Sequence, residues 1–342
     1  MRRTWVRLAL IIALTVVFLF FFFRSVDWRE VYFYLRGVNL SLFVATTFLG
    51  SLHLITRSLR WRYLLIHEKP DVKFSNMFAA NAVGFTVNSL FPGRLGELVR
   101  PLFLARREKM RKGFCLGTIL VERTFDTFTM CLFLGVFLLA RPLFSSWFQV
   151  GAQASASLRL WGFFGLGLTA VLLIFILSLY FLREKALGFF SRLLKPLPQK
   201  ISHKVLSLLD EFICGLKFFH SLPNLVMYTL FSFVVWLGII LLYWAFFLAF
   251  RISLPFFLLV PYVFLTMVGA SIPTPGMVGG FHYFSKLGLT ALYGVDPNLA
   301  VGMTILIHAV QIVVTATIGY AILWKEGMSL FQLKKLGETA QT

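Results

Sequence analysis

Two stretches of this chain break the helical pattern in the same way, and both lie inside long apolar runs. The first is Asn88-Ser-Leu-Phe-Pro-Gly-Arg-Leu-Gly-Glu97 and the second is Ser271-Ile-Pro-Thr-Pro-Gly-Met-Val-Gly-Gly280. Each contains Pro-Gly-x-x-Gly, at Pro92 to Gly96 and at Pro275 to Gly279. Proline removes a backbone donor and glycine relaxes a helix, so Pro92, Gly93 and Gly96, and Pro273, Pro275, Gly276, Gly279 and Gly280, are expected to interrupt helices. Irregular backbone at membrane depth survives only where protein or a water-filled cavity covers it. A matched pair of such breaks, one per half of the chain, is the pattern of a transport-type site between two repeats.

That the breaks sit in a membrane follows from composition. The chain has 342 residues, is 58% hydrophobic and holds 40 phenylalanines. Its mean hydropathy is +0.82. Apolar runs of about 20 residues recur along its length, which predicts an all-α, polytopic integral membrane protein. Cys115, Cys131 and Cys214 have no metal or disulfide spacing, and neither a metal site nor a cofactor is expected. The net charge of +19 raises nucleic acid as a partner. The basic residues instead cluster in short loops beside apolar spans, without an aromatic–basic binding module, which excludes that reading.

The topology expected is about six full spans plus two re-entrant hairpins in a single membrane domain. Arg2, Arg3 and Arg7 precede the run Leu8 to Phe23, read as an uncleaved first span, with an amphipathic piece, Trp28 to Arg36, at the outer interface. A second span covers about 38–56 and ends at Arg57, Arg60, Trp61 and Arg62, read as interface anchors. The segment 74–105 lies between two basic clusters and is broken in its middle, so it is read as a hairpin entering from the cytoplasmic side. Spans follow at about 114–139 and 159–182, completing a first half of about 1–182. A cytoplasmic linker, 183–222, contains an amphipathic stretch over 205–219. The second half, about 223–324, has a span at 224–250, a hairpin at 255–293 entering from the outer face, and a last span at 298–324. Residues 325–342 form a tail. In this layout the cytoplasmic segments hold 25 of the 33 Lys and Arg residues and the outer segments six, which places both termini in the cytoplasm. Opposite entry of the hairpins is what an inverted repeat produces.

Charged residues inside such spans are costly and normally face a cavity or a partner. The first hairpin carries Asn88, Arg94, Glu97 and Arg100, and the next span carries Glu122, Arg123 and Asp126. Arg94, Glu97 and Arg100 are three apart, and Glu122 and Asp126 four apart, so each set lies near one helix face. These six charges sum to zero. They fit an internal salt-bridge lock, and they fit equally a polar cavity in which arginines hold a phosphate or another anionic headgroup. In the second hairpin a helix starting near Gly279 is expected to turn its N-terminal amides toward an anion. His282 and Lys286 are four apart on that helix, and His308 lies in the last span. A lone buried histidine is more often a packing residue than a proton carrier, and His308 is read that way, while His282, beside the break, is open to either role.

Taken in order, Asn88-x-x-x-Pro92-Gly93-Arg94-x-Gly96-Glu97-x-x-Arg100, then Glu122-Arg123-x-x-Asp126, then Pro273-Thr-Pro275-Gly276-x-x-Gly279 resemble the lysylphosphatidylglycerol synthase transmembrane-region family, also called flippase-like membrane proteins. The likeness spans about residues 10–324. In longer members this region precedes a soluble aminoacyl-transferase domain and is thought to flip the modified lipid. This sequence ends at Thr342 without such a domain, so it is expected not to make the lysyl-lipid itself. Some stand-alone relatives are linked to polyprenyl-linked sugar pathways. Relatives commonly carry Glu where His282 stands and often Arg near His308.

The first functional reading is a lipid translocase of a bacterial inner membrane. Its substrate is an anionic lipid, either a phospholipid or a polyprenyl phosphate, held by Arg94, Arg100 and Arg123. The second is a membrane glycosyl- or phospho-transferase using Asp27 or Glu30 as its acid. The third is an accessory subunit of an envelope-assembly complex. A homo-oligomer or an envelope-biosynthesis partner fits any of the three.

Overall fold

A computed structural model of the chain describes residues 2–140, 181–195, 199–215 and 221–327, with scattered positions between 160 and 179. The described residues form helices, short 3-10 turns and loops, and no strand. Helix α1 (Arg2–Phe23) ends at Ser25, whose φ of 65° turns the chain. Asp27 then caps α2 (Trp28–Arg36) by accepting from the Arg29 amide, and α2 leaves α1 at 76°.

The next helices, α3 (Leu40–Gly50) and α4 (His53–Leu65), together make a 26-residue apolar span. The expected end near residue 56 is therefore wrong: the helix runs nine residues further, because the two arginines expected to stop it find buried partners. Helix α5 (Phe74–Leu90), a turn at Pro92–Arg94 and α6 (Gly96–Glu108) form the first hairpin, and α7 (Lys112–Ala140) follows.

Helices α8 (Arg183–Leu193) and α9 (Gln199–Gly215) belong to the linker. The linker's amphipathic stretch packs along α7 rather than lying apart from the bundle. Its Glu211 accepts from the Gly113 amide at 2.8 Å, and Ile213 is buried. Residues 216–220 of that stretch lie outside the described residues, as does most of the span expected at 159–182.

Helix α10 (Leu222–Ala249) leads into the second hairpin. That hairpin comprises α11 (Val260–Ser271), a turn at Pro275–Met277 and α12 (Gly280–Tyr293), and the last helix is α13 (Pro297–Lys325). Among the described residues, four helical spans are long and apolar enough to cross a membrane, α3–α4, α7, α10 and α13, or five when the bent pair α1–α2 is included.

Both expected breaks are present, and their turns begin alike. Gly93 and Arg94 have φ of 77° and 54°; Gly276 and Met277 have 56° and 60°. A left-handed Arg or Met is strained and persists only where its surroundings impose it. The arms of each hairpin also cross where two glycines meet. A Cβ on Gly96 would lie 1.9 Å from the Gly84 carbonyl oxygen, and one on Gly280 would lie 2.5 Å from that of Gly269. The two turns touch each other, since a Cβ on Gly276 would meet the Ser89 carbonyl at 2.7 Å.

Two apolar cores support this arrangement. One gathers α4, α5, α6 and the first half of α7. The other gathers α10 to α13 with the second half of α7. Helix α5 of the first core lies along α13, and Thr86 donates to the Thr315 carbonyl there. Close helix approach through small residues is the usual packing device where lipid removes the hydrophobic drive.

Candidate functional site

The two cores flank a buried ionic cluster built by three elements. Helix α7 brings Glu122, Arg123 and Asp126 as expected. The first hairpin brings Arg94, Glu97 and Arg100. Helix α4 adds Arg57 and Arg60, which overturns their reading as interface anchors.

Arg60 is fully buried. It donates to Asp126 at 2.6 Å, and its other terminal nitrogen stands 3.1 Å from Glu122. Arg100 grips Glu122 with two bonds of 2.9 and 2.8 Å and lies over the Trp61 ring at 4.1 Å. Arg123 reaches Glu122 and Asp126, both at 2.9 Å, and Glu97 at 3.8 Å. Trp236 of α10 donates its indole N–H to Asp126 at 2.9 Å. Taking such ions out of water costs several kcal/mol each unless charges and hydrogen bonds offset it. The bidentate Arg100–Glu122 pair is the geometry that does so best. The lock reading of these residues is therefore correct as far as it goes.

The lock does not balance. With Arg57 and Arg60 included, five arginines face Glu97, Glu122 and Asp126, an excess of two positive charges in place of the expected neutrality. Arg57 carries most of the imbalance. It is 7% exposed, and its Nη1 is 3.5 Å from Glu122 and 3.8 Å from Asp126, too far to hydrogen bond. The Nε and Nη1 of Arg57 and the Nε atoms of Arg60, Arg94, Arg100 and Arg123 have no partner. Arg94, Glu97 and Arg123 are each a quarter to a third exposed, so the cluster opens on their side.

Arg94 also joins the hairpins. Its Nη1 donates to Glu97 at 2.9 Å, and its Nη2 donates to the Ala270 carbonyl at 2.6 Å, at the end of α11. Asn88 packs against Gly96, and its Oδ1 is buried without a partner.

Beside the cluster lies a cavity of about 610 Å³ between α3–α4, α5, α10 and α13. Arg57 and His308 line it, with Phe85, Met277 and Gln311. The sequence carries little sign of this cavity, because its walls come from spans up to about 270 residues apart.

Matched against known families, residues 5–319 fit Lysylphosphatidylglycerol synthase TM region. The chain belongs to this family. A UPF0104 membrane protein of Methanocaldococcus jannaschii is 23% identical over 270 residues, covering 77% of this chain and 78% of that protein. No solved structure matches.

In this family member the second hairpin departs from expectation. Helix α12 does begin at Gly280, but its first turn faces α1, where a Cβ on Gly279 would approach the Thr15 carbonyl at 3.1 Å. His282 Nδ1 accepts from the Gly279 amide at 3.4 Å, so a terminal amide expected to serve an anion is capped from within. Lys286 does not face the ionic cluster either. Its ammonium donates to the Phe22 carbonyl at 2.7 Å, closing the end of α1. His282 and His308 are neighbours, with ring centroids 4.9 Å apart, and His308 Nε2 is buried without a partner.

The signal that could have revealed Arg57 and Arg60 is their spacing. They share an i, i+3 face with Leu54, Trp61 and Leu64, all buried, inside a helix that never turns polar on that side. Trp236 gives no signal of its role, being one aromatic among many in α10.

Proposed function

We propose that this protein binds the phosphate of an anionic lipid at the ionic cluster and carries that lipid between membrane leaflets. The observation that supports this most directly is the cluster's excess of two positive charges, with arginine N–H groups left without hydrogen-bond partners. A phosphodiester brings one negative charge and a phosphomonoester close to two. Either supplies the acceptor oxygens that the arginine Nε atoms lack, and arginine is the side chain suited to that recognition.

Arg57, Arg60, Arg94, Arg100 and Arg123 then hold the headgroup, while Glu97, Glu122 and Asp126 orient the guanidinium groups. Arg94 sits at the exposed edge and touches both hairpins, so an arriving anion competes with Glu97 and Ala270 for it. The hairpins open in turn toward the two faces, the first from the cytoplasm and the second from outside, in a bacterial inner membrane with both termini cytoplasmic. The transferase reading has less support. Asp27, one of its two candidate acids with Glu30, accepts from the Arg29 amide and caps α2.

The test is lipid scrambling in liposomes with the purified protein, using fluorescent anionic phospholipids, a fluorescent single-chain lysophosphatidate and a polyprenyl phosphate. Arg57→Gln removes the charge held by the longest ion pairs and leaves the hydrogen-bonded lock whole. Loss of transport in that variant supports the reading. Wild-type protein that is folded yet moves none of these lipids overturns it.

A further inference from the structure

The cavity beside Arg57 has a wall more apolar than its sequence suggests. Six serine and threonine residues line it: Thr46, Thr47, Ser51, Thr56, Ser89 and Thr315. Every one donates its hydroxyl to a carbonyl of its own helix, at 2.6 to 3.1 Å. What they leave to the cavity is methyl and methylene surface. The other polar groups of the lining are His53, Arg57, Tyr243, Trp244, His308 and Gln311, and of these Arg57 and His308 hold buried atoms without a hydrogen-bond partner.

Access is also apolar. Leu49, Leu52, Val234 and Leu241 line the cavity and are exposed on α3–α4 and α10, two spans apolar enough to cross a membrane. Such a rim suits entry of a ligand from hydrocarbon.

Size limits what enters. A cavity of about 150 Å³ holds one benzene ring, so 610 Å³ takes on the order of two dozen carbons. That is one long acyl chain or a short isoprenoid. It falls short of both tails of a membrane phospholipid and far short of a long polyprenyl chain.

We infer that the cavity seats the whole tail of a single-chain anionic amphiphile whose headgroup rests on Arg57. This rests on the phosphate reading for the headgroup, and it adds the class of tail. Gly238 is the residue that governs chain length. It lines the cavity on α10, it is exposed, and a Cβ there meets nothing within 4 Å, so the fold leaves room for a larger side chain at the cavity's edge. A phenyl group has about a quarter of the cavity's volume.

The experiment is direct binding to detergent-purified protein, read by native mass spectrometry. The probes are palmitoyl lysophosphatidate, farnesyl phosphate, dipalmitoyl phosphatidate and undecaprenyl phosphate. The proteins are wild type, Gly238→Phe, Arg57→Gln and Gly135→Phe. Gly135 is a fair control because a Cβ there also meets nothing within 4 Å and the residue lies outside the cavity wall. The expected result is that palmitoyl lysophosphatidate or farnesyl phosphate binds more tightly than the larger probes. Gly238→Phe weakens that binding about tenfold or more, the equivalent of losing a few buried methylenes, while Gly135→Phe does not. Whichever of the two small probes binds distinguishes an acyl from an isoprenyl source.

Two results overturn the inference and leave the headgroup reading standing. In one, dipalmitoyl phosphatidate or undecaprenyl phosphate binds as tightly as the small probes and needs Arg57. In the other, Gly238→Phe binds every probe as wild type does, while Arg57→Gln binds none. Binding of no probe, or binding unaffected by Arg57→Gln, overturns both readings together.

Discussion

Hairpin α5–α6 and hairpin α11–α12 begin their turns alike and then diverge, since Leu95 enters a helix at once whereas Val278 is extended and Gly279 has a φ of 94°. In each, a proline is followed by a left-handed glycine and a left-handed second residue, and the two arms cross at a pair of glycines. Their side chains have little in common. The first hairpin contributes three members of an ionic cluster. The second has no acidic residue between 255 and 293. Its internal polar contacts are neutral, from Tyr262 through Ser285 to Thr304 at 2.9 and 2.7 Å. The turn thus fixes where the chain reverses, and polarity is a separate layer placed on one copy. A helix break in a membrane protein locates a hinge; only the charges beside it locate a binding site.

The comparison can be broken most forcefully at Glu122. Replacing it by Gln leaves Arg60, Arg100 and Arg123 facing one another, and removal of one partner from a buried pair costs about 3–5 kcal/mol. Thermal unfolding in detergent checks this, and a melting curve unchanged from wild type would mean that the cluster does not hold the first hairpin. The shared backbone is tested next. Gly96→Ala and Gly280→Ala force a methyl group against a facing carbonyl, at 1.9 and 2.5 Å, and each should cost about 1–3 kcal/mol. Similar losses in both hairpins confirm a common architecture, whereas a loss in only one shows that the resemblance stops at the turn.

A smaller effect separates the turns themselves. A side chain on Gly93 meets nothing within 4 Å, so Gly93→Ala pays only for the left-handed backbone, about 1 kcal/mol. Gly276→Ala adds a contact with the Ser89 carbonyl at 2.7 Å and should be the more damaging of the two by the same assay. The smallest stability change is expected at Arg57. Arg57→Gln gives up no short hydrogen bond and only the two longest ion pairs of the cluster, at 3.5 and 3.8 Å, so it should destabilise less than Glu122→Gln, by about 1 kcal/mol or below. Transport should nevertheless fail. A variant as unstable as Glu122→Gln would instead assign Arg57 to the lock.

Much of this was legible in the sequence, for local reasons. Pro92, Gly93, Pro275 and Gly276 act on their own backbone, so a reader of one segment can see the break. Glu122, Arg123 and Asp126 stand out because charge within an apolar run must be matched. Arg57 and Arg60 were hidden by context, since basic residues closing an apolar run are also what anchors a span at an interface. Their partner carboxylates lie 62 to 69 positions away, in another helix. Lys286 and His282 were misplaced for a related reason. Spacing gives the face of α12 they share, but which neighbour covers that face depends on α1, packed from the other end of the chain.

The bond from Arg94 to the Ala270 carbonyl bridges 176 residues of sequence. A ribosome adding about 5–20 residues per second needs roughly 9 to 35 s to make that stretch. Throughout that interval the first hairpin is already synthesised and its outermost arginine has no carbonyl to receive it. Until then Glu97, three residues on in the same hairpin, is the partner at hand for that guanidinium. The bond that ties the two hairpins together can form only after the second half has been made.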